Sequence, residues 1–568
     1  MAKYPKFNDP KFNKKINLLF KKYKIAKKKN NIKDICFPKR FKLQIPQKFV
    51  AEFINPRTPY KGLLIFHQIG AGKTCAAVNI AEKWKKKKNI LIVTAASLMG
   101  NFLKELRSRC AGDEYITQKQ RDILKKSNPS SNTYKNIIKA SNKKIEKYYT
   151  VMSYNKFVNK AQNGRFSLKN TLLIIDEVQN IVSEHGLFYK VFLKKILNAP
   201  DDLRIVLLSA TPMFDKPIEI GLTLNLLRLP KLLPTGKKFN DKFLSARKNK
   251  CGDIKYKPKN LNTFKNMIKG HVSYFRGAPP VAFPEKYIKY VNCKMSDYQY
   301  KSYKTVATKE GPFRTGDILK LPNNFFIGSR IISNIAFPKK GINEEGFESF
   351  KGDHLKMANL KKYSVKFYKI LKAIKKAEGP VFVYSNFKEY GGLKTFEKIL
   401  KANGFKDYME KGQGKKRFAT WSGDIKHELK EEIKDVFNQK KNVDGSRLKV
   451  LLGSPSIKEG VSLLRVKEVH VVEPYWNLSR LEQVIGRAVR FCSHKDLLKR
   501  DRYVDIFIYI ATHPDDSLTI DKHILKLANK KEKIIKQFEL ALKESAVDCR
   551  LNKHANVHKG EDDINCLN

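Results

Sequence analysis

One stretch limits what this chain can fold into more than any other: Ile65-Phe66-His67-Gln68-Ile69-Gly70-Ala71-Gly72-Lys73-Thr74, which runs on into Cys75-Ala76-Ala77-Val78, a favourable helix start. Read in order, that is strand, glycine-rich loop, helix. In a loop of this kind the backbone N–H groups of Gly70, Ala71 and Gly72 and the helix N-terminus wrap a polyphosphate. The lysine then reaches the β- and γ-phosphates, and the threonine hydroxyl ligates Mg²⁺. The residues therefore predict a bound nucleotide polyphosphate with Mg²⁺. The full pattern Gly-x4-Gly-Lys-[Ser/Thr] asks for glycine where this chain has His67. The loop by itself is also compatible with an ordinary glycine turn between strand and helix.

The second decisive stretch is Leu172-Leu173-Ile174-Ile175-Asp176-Glu177-Val178-Gln179-Asn180. Four apolar residues deliver two carboxylates to the C-terminal end of a strand, where ligands sit in open parallel sheets. Neighbouring residues on an extended chain point in different directions, so the two acids need not duplicate each other. Asp176 is expected to support Mg²⁺ alongside Thr74, and Glu177 to orient and deprotonate the attacking water. Ahead of the loop, Leu43-Gln44-Ile45-Pro46-Gln47-Lys48-Phe49 opens a helix, and Gln47 is placed to read an adenine base. Strands are also expected at Asn89–Thr94, Tyr148–Met152 and Arg204–Ser209, the last running into Ser209-Ala210-Thr211-Pro212. Strand and helix alternate from 41 to 235, the pattern of a doubly wound sheet.

A chain of 568 residues is too long for one core. Its 115 Lys+Arg against 54 Asp+Glu give a formal charge of +61, which points to an acidic polymer as partner. A coding bias toward Lys and Asn explains many of the lysines, but not so few acids. The eight cysteines (Cys36, Cys75, Cys110, Cys251, Cys293, Cys492, Cys549 and Cys566) show no Cys-x-x-Cys pair. That argues against a zinc site or a disulfide scaffold and for a reducing compartment. Neither a signal-peptide core nor an 18-residue apolar run occurs in the sequence, so a soluble intracellular protein without membrane contact is expected.

Residues 1–40 form a basic extension in which Ile16, Leu18, Leu19 and Phe20 are interleaved with lysine pairs and the run Lys27-Lys28-Lys29. It reads equally as an amphipathic helix and as a solvated arm. Cys110–Lys147, rich in Ser, Asn and Lys, reads as a loop-heavy insertion. Residues 236–365 read as a bridging region of helices and loops, Gly270–Phe275 included. A second α/β pattern follows over 366–515, with strands at Pro380–Ser385, Phe418–Gly423, Leu448–Ser454 and Val469–Pro474. This half has no Gly-Lys-Thr. It carries Gln483-Val484-Ile485-Gly486-Arg487-Ala488-Val489-Arg490 instead, where Gln483, Arg487 and Arg490 share a helix face at i, i+4 and i+7. Arginine rows are often just solvated faces; here they suit an arginine finger for the γ-phosphate. Residues 516–568 read as a C-terminal helix with one apolar face (Ile520, Ile524, Leu527, Ile534, Phe538, Leu542) and, after Cys549, a loose tail.

Taken together, His67–Thr74, Thr94–Ser97, Asp176–Gln179, Ser209-Ala210-Thr211, Ser456-Ile457-Lys458-Glu459-Gly460-Val461-Ser462-Leu463 and Gln483–Arg490 resemble, in order, the motifs of superfamily 2 helicases and translocases. The resemblance covers residues 41–512. Pro474-Tyr475-Trp476-Asn477 narrows it to the Swi/Snf-like branch. Tyr384-Ser385-Asn386-Phe387, Arg490-Phe491-Cys492-Ser493-His494 and Ser333–Pro338 resemble helicases of large nucleocytoplasmic DNA viruses, a group that includes the poxvirus nucleoside triphosphate phosphohydrolase and the small subunit of the poxvirus early transcription factor. In this family histidine at position 67 is frequent. The second motif departs from it by ending in Gln179-Asn180, where relatives commonly carry histidine.

The resemblance implies an α/β fold of two tandem RecA-like doubly wound parallel-sheet domains (41–235 and 366–515), with the bridging region between them and basic extensions at the ends. It also implies that Gly460 helps bind nucleotide, and that the chain is an ATP-dependent helicase or translocase on nucleic acid, DNA rather than RNA, in viral transcription. The alternative it leaves is a transcription factor or virion-packaged DNA-binding scaffold with partner-dependent ATPase. The implied partners are the viral RNA polymerase or a second transcription-factor subunit, and the implied location is the virion and the host cytoplasm.

Overall fold

A computed structural model of the chain describes residues 4–26, 31–68, 70–128, 131–164, 166–250, 252–313, 317–321, 324–458, 461–557 and 563–567. Ile69, Cys251, Glu459, Gly460 and the run Lys27-Lys28-Lys29 lie outside the described residues. Contacts divide the chain into two units. The first is Met1–Arg247 with Tyr256–Pro279 and Lys533–Asn568, and the second is Lys248–Lys255 with Pro280–Glu532.

In the first unit the strands are β1 Gly62–His67, β2 Asn89–Thr94, β3 Tyr149–Ser153, β4 Thr171–Ile175 and β5 Arg204–Ser209. Next in the chain come β6 Leu244–Lys248 and β7 Ile254–Pro258, a separate pair whose residues fall partly in each unit, and then β8 Val272–Phe275 of the first. The sheet runs β3-β2-β4-β5-β1-β8 with every pairing parallel. The apolar runs of β1 and β4 are buried along their whole length, as strands covered on both faces must be. The helix Lys73–Trp84 presents small residues, Cys75, Ala76, Ala77 and Ala81, which let it lie close to the sheet, and it ends on buried Trp84.

The second unit contains β9 Glu285–Lys294, β10 Val381–Tyr384, β11 Lys406–Asp407, β12 Arg417–Trp421, β13 Val450–Gly453, β14 Glu468–Val471 and β15 Tyr503–Thr512. They form a second all-parallel sheet in the order β11-β12-β13-β10-β14-β15-β9. Two tandem α/β domains built on parallel sheets are thus present, as expected.

Four details differ from the sequence reading, and one more, at the N-terminus, decides for the amphipathic helix over the solvated arm. The expected bridge 236–365 is divided, because Val272–Phe275 is an edge strand of the first sheet and Glu285–Lys294 an edge strand of the second. Cys110–Lys147 is largely helical, in Gln118–Lys126 and Asn132–Glu146. Thr117 and Ser131 cap these helices by accepting backbone N–H groups, so residues that suggest loops act here as helix starts. The N-terminal stretch is no solvated arm: in the helix Phe12–Leu19, Phe12 and Ile16 are buried in the first unit's core. Burial of side chains this size contributes about 1.5–3 kcal/mol each, enough to hold a short basic helix down. Nor is the tail loose after Cys549. Cys549–Asn556 is a helix with Cys549, Leu551, Asn552 and Asn556 buried. Finally, Cys75 is bonded to Cys110 and Cys549 to Cys566, against the expected absence of disulfides. Their partners are distant in sequence and meet only through the fold, so no Cys-x-x-Cys spacing announces them. Among the described residues, no helix is long and apolar enough to cross a membrane.

Candidate active site

Because the first sheet is parallel throughout, β1, β4 and β5 bring their C-terminal ends to one edge, and each ends there in polar residues. The loop after β1 turns on Gly70 (φ 84°) and Gly72 (φ 70°), conformations that side chains rarely adopt. The Ala71 N–H donates to the Gln68 carbonyl at 3.1 Å, and the Gly72 carbonyl accepts the Ala76 N–H at 3.0 Å. The helix therefore begins at Lys73, and the first N–H groups of a helix have no partners within it. A Cβ on residue 72 would lie 2.4 Å from Gln47 Nε2. Gln47, buried in the helix Ile45–Phe53, donates from Nε2 to the Gly72 carbonyl (3.1 Å) and accepts the Gln44 N–H at Oε1 (2.8 Å). It braces the loop at Gly72.

Lys73 Nζ lies 4.0 Å from Glu177 Oε1. Glu177 Oε2 accepts from Gln179 Nε2 (2.7 Å), and Gln179 Oε1 accepts the Ser209 hydroxyl (2.7 Å). Ser209 Oγ in turn accepts the Thr211 N–H (3.0 Å). One continuous polar row thus joins the loop, the Asp-Glu turn and the end of β5. Glu177 has φ 49° and ψ 52°, a left-handed conformation for a non-glycine residue, which costs about 1–3 kcal/mol unless its surroundings enforce it. The enforcing contacts are visible. Asp176 Oδ1 accepts the Glu177 N–H (3.0 Å), and Tyr154 donates its hydroxyl to the carbonyls of Asp176 and Glu177. The Asp176 N–H is held by the Val93 carbonyl (2.9 Å). Asp176 is buried directly after the end of β4. Tyr154 escaped the sequence reading because a tyrosine opening a helix after β3 carries no distinguishing pattern.

In the second unit, Gln483 and Arg487 lie on the helix Leu478–Ala488, which Asn477 caps by accepting the Arg480 N–H. Arg487 is 8% exposed and donates from Nη1 to the Val461 carbonyl (3.3 Å), while its own carbonyl accepts the Leu463 N–H (2.9 Å). The two motifs of this half are thereby fastened together. Arg490 is not on the helix face expected for it. The helix ends at Ala488, and Ser493 Oγ takes over there by donating to the Ala488 carbonyl (3.2 Å) and accepting the Arg490 N–H (3.4 Å).

Residues 26–347 match the model of the SNF2-related domain, and residues 365–492 that of the helicase conserved C-terminal domain. The chain is 52% identical over 566 residues to a putative ATP-dependent RNA helicase of Acanthamoeba polyphaga mimivirus, with 99% of each chain covered. It is 26% identical over 608 residues to a putative helicase of Invertebrate iridescent virus 3, covering 98% of this chain and 58% of that one. To a termination factor NPH-I homolog of African swine fever virus it is 25% identical over 566 residues, covering 87% and 77% respectively.

Proposed function

The chain belongs to the SNF2-related helicases of superfamily 2, and from that premise we propose that it is an ATP-driven translocase or helicase on nucleic acid, DNA rather than RNA, serving transcription in a large DNA virus. Membership makes it an ATP-hydrolysing enzyme. The observation that best supports this reading is the polar row from Lys73 through Glu177 and Gln179 to Ser209 at one end of a parallel sheet.

In this reading Gly70, Ala71 and Gly72 cradle the phosphates, Lys73 neutralises the β- and γ-phosphates, and Thr74 and Asp176 would hold Mg²⁺, which supplies charge neutralisation on the phosphates when bound. Glu177 takes the proton of the attacking water. Gln47 braces Gly72 and offers its remaining amide hydrogen to adenine. Gly460, Gln483, Arg487 and Arg490 are assigned to nucleotide binding and γ-phosphate stabilisation on the strength of the motifs they occupy, Arg490 from the turn that follows its helix.

Gln179 occupies the place where relatives commonly carry histidine, and it bridges Glu177 to Ser209 directly. Gln179→Ala is expected to lower ATP turnover about tenfold, the effect of one lost hydrogen bond to a charged group, while the KM for ATP stays within about twofold. Steady-state kinetics check this; unchanged turnover removes Gln179 from the mechanism.

With a formal charge of +61, nucleic acid is expected to be held mainly through its phosphates. Affinity then falls by about 10³–10⁵ between 50 and 200 mM salt if 6–10 phosphates are contacted. ATPase assays with single-stranded DNA, duplex DNA and RNA, titrated with salt, test the reading. Greater stimulation by DNA supports the choice of polymer, greater stimulation by RNA reverses it, and turnover indifferent to every nucleic acid sinks the translocase reading. The relative named as a termination factor supports a place in transcription. We accordingly propose the viral RNA polymerase or a second transcription-factor subunit as protein partner, with action in the infected cytoplasm and packaging in the virion. Co-purification from infected cells tests this part.

A further inference from the structure

His67, the residue that breaks the strict glycine pattern, ends β1 completely buried. In the sheet, Ile65 of β1 pairs with Ser273 of β8 and His67 with Phe275, so His67 and Ser273 share a face one step apart. His67 Nε2 lies 3.0 Å from Ser273 Oγ, and Ser273 donates its hydroxyl to Asp548 Oδ2 at 2.7 Å. Ser273 is fully buried, as is Asp548. Asp548 also accepts the Tyr274 N–H at Oδ1 (3.0 Å) and Asn552 Nδ2 at Oδ2 (3.2 Å). A residue near the C-terminus is thereby connected to the phosphate loop through two hydrogen bonds.

The anchorage around this row is extensive. The Val547 N–H donates to the Val272 carbonyl (2.8 Å). Asn556 brackets the end of β8, donating from Nδ2 to the Tyr274 carbonyl (3.2 Å) and accepting the Arg276 N–H (2.9 Å). On the loop side, the Gln68 N–H donates to the Phe275 carbonyl (3.0 Å), and a Cβ on Gly277 would sit 3.3 Å from Ala71 Cβ.

Counting protons along the row fixes their positions. Three donors converge on Asp548, the pattern that suits an ionised carboxylate, which only accepts. Burial pushes this carboxyl up to about 6, and the hydrogen bonds from Ser273, Tyr274 and Asn552 work against that rise. Ser273 has one proton and gives it to Asp548, so its oxygen must accept from His67, which must carry its own proton on Nε2. Nδ1 is then a bare acceptor, and it is a buried nitrogen with no hydrogen-bond partner among the described residues. Burial, followed by the nearby charge of Lys73, keeps the imidazole neutral, down to about 3.

We propose that Asp548 and Ser273 are positioning residues of the nucleotide site: they hold His67 as its neutral Nε2–H tautomer, and His67 in turn holds the end of β1 from which the phosphate loop leaves. This rests on the reading of residues 67–74 as the ATP site. It gives the helix Cys549–Asn556 a task, since Asp548, on which the row ends, is the residue that opens it and Asn552 within it donates to the same carboxylate. In Asp548→Asn the side chain keeps its shape but has one oxygen only. With that oxygen facing the Tyr274 N–H, an NH₂ faces Ser273. Ser273 must then accept, its proton turns to His67 Nε2, and the imidazole proton moves to Nδ1.

The test uses the full-length chain as wild type, Asp548→Asn, Ser273→Ala and Ser273→Thr, with folding checked by circular dichroism. One readout is the dissociation constant of Mg²⁺ and an N-methylanthraniloyl-labelled ATP. The other is the protonation state of the two His67 nitrogens by NMR with selectively ¹⁵N-labelled histidine. Asp548→Asn is expected to move the His67 proton to Nδ1 and to weaken nucleotide binding about tenfold. Ser273→Ala is expected to weaken binding by a similar factor, and Ser273→Thr, which keeps the hydroxyl, to stay within about twofold of wild type. If Asp548→Asn does not fold, Ser273→Ala against Ser273→Thr decides. A wild type that binds nucleotide while the folded variants keep its affinity and its tautomer overturns the relay alone. A wild type that binds no nucleotide overturns the reading of the site and the relay with it.

Discussion

Glu177→Gln is expected to lower ATP turnover by about 10²–10⁴-fold, the contribution of a positioned general base, while leaving nucleotide affinity within about threefold. The substitution preserves shape and removes the proton acceptor. Glutamine at 177 can still accept from Gln179 Nε2 through its oxygen, so the row to Ser209 survives. The contact it weakens is with Lys73, whose ammonium is 4.0 Å from Glu177 Oε1, and a lysine released from a carboxylate is more available to phosphate. Binding is therefore predicted to hold while chemistry fails. Lys73→Ala is the contrasting case, because it removes a ground-state contact as well as a transition-state one and is expected to raise the KM for ATP along with lowering kcat. Single-turnover hydrolysis of ATP, set beside binding of a labelled nucleotide, separates the two effects. Glu177→Gln with wild-type turnover would remove Glu177 from the chemistry.

The expectation for Glu177 came from sequence, and the reason it is legible explains what was not. A buried parallel strand needs apolar residues on both faces, so Leu172–Ile175 is legible without a partner, and the acids after it fall at the sheet's edge by chain order alone. The same holds for Ile65–Thr74 and Arg204–Thr211. Contacts that depend on residues far apart in sequence leave no local trace. Tyr154 holds the carbonyls of Asp176 and Glu177 from the start of a helix, and nothing in its neighbours distinguishes it from a core tyrosine. Strand β8 is four residues long with a serine at a buried position, too short and too polar to show a period. That serine is polar because it bonds His67 and Asp548, so what hides the strand also makes it interesting. The insertion at 110–147 misled for a different reason. Serine and threonine lower helix propensity inside a helix and promote it at the first position, and Thr117 and Ser131 hold that first position. Arg490 shows the limit of periodicity: i, i+4 and i+7 describe a face only while the helix lasts, and this one stops at Ala488.

The largest expected change in stability lies in the second unit, away from any proposed chemistry. Lys366 and Asp521 are each 1% exposed, and Lys366 Nζ lies 2.6 Å from Asp521 Oδ2. The same ammonium donates to Asn334 Oδ1 at 2.9 Å, and Asn334 Nδ2 donates to Glu473 Oε2 at 3.0 Å. Glu473 is fully buried, and burial pushes its carboxyl above the ordinary carboxylate range. It also accepts from the Ser385 hydroxyl and the Asn386 N–H at the end of β10. Asp521 Oδ2 accepts the Ala511 N–H from β15 at 2.8 Å. One lysine thus serves two buried acids, directly and through an amide, and the network ties the end of β10 to β15 and to the helices that carry Lys366 and Asp521. Asp521→Ala leaves the Lys366 ammonium buried without its carboxylate, which is expected to cost about 3–5 kcal/mol. For a domain of this size that lowers the melting transition of the second unit by roughly 6–20 °C. Replacing the pair together, Lys366→Met with Asp521→Leu, removes both charges and restores apolar volume, and is expected to recover at least half of the loss. The cost therefore comes from stranding one charge, and the double variant separates that from any need for the ion pair itself. Thermal melts of the full chain followed by circular dichroism provide the measurement. A single variant that melts within about 2 °C of wild type would show that water or a shifted neighbour solvates the stranded ammonium. A double variant no more stable than the single one would show instead that the Ala511 N–H, left without Asp521, and the Asn334–Glu473 contact, left without Lys366, carry most of the stability.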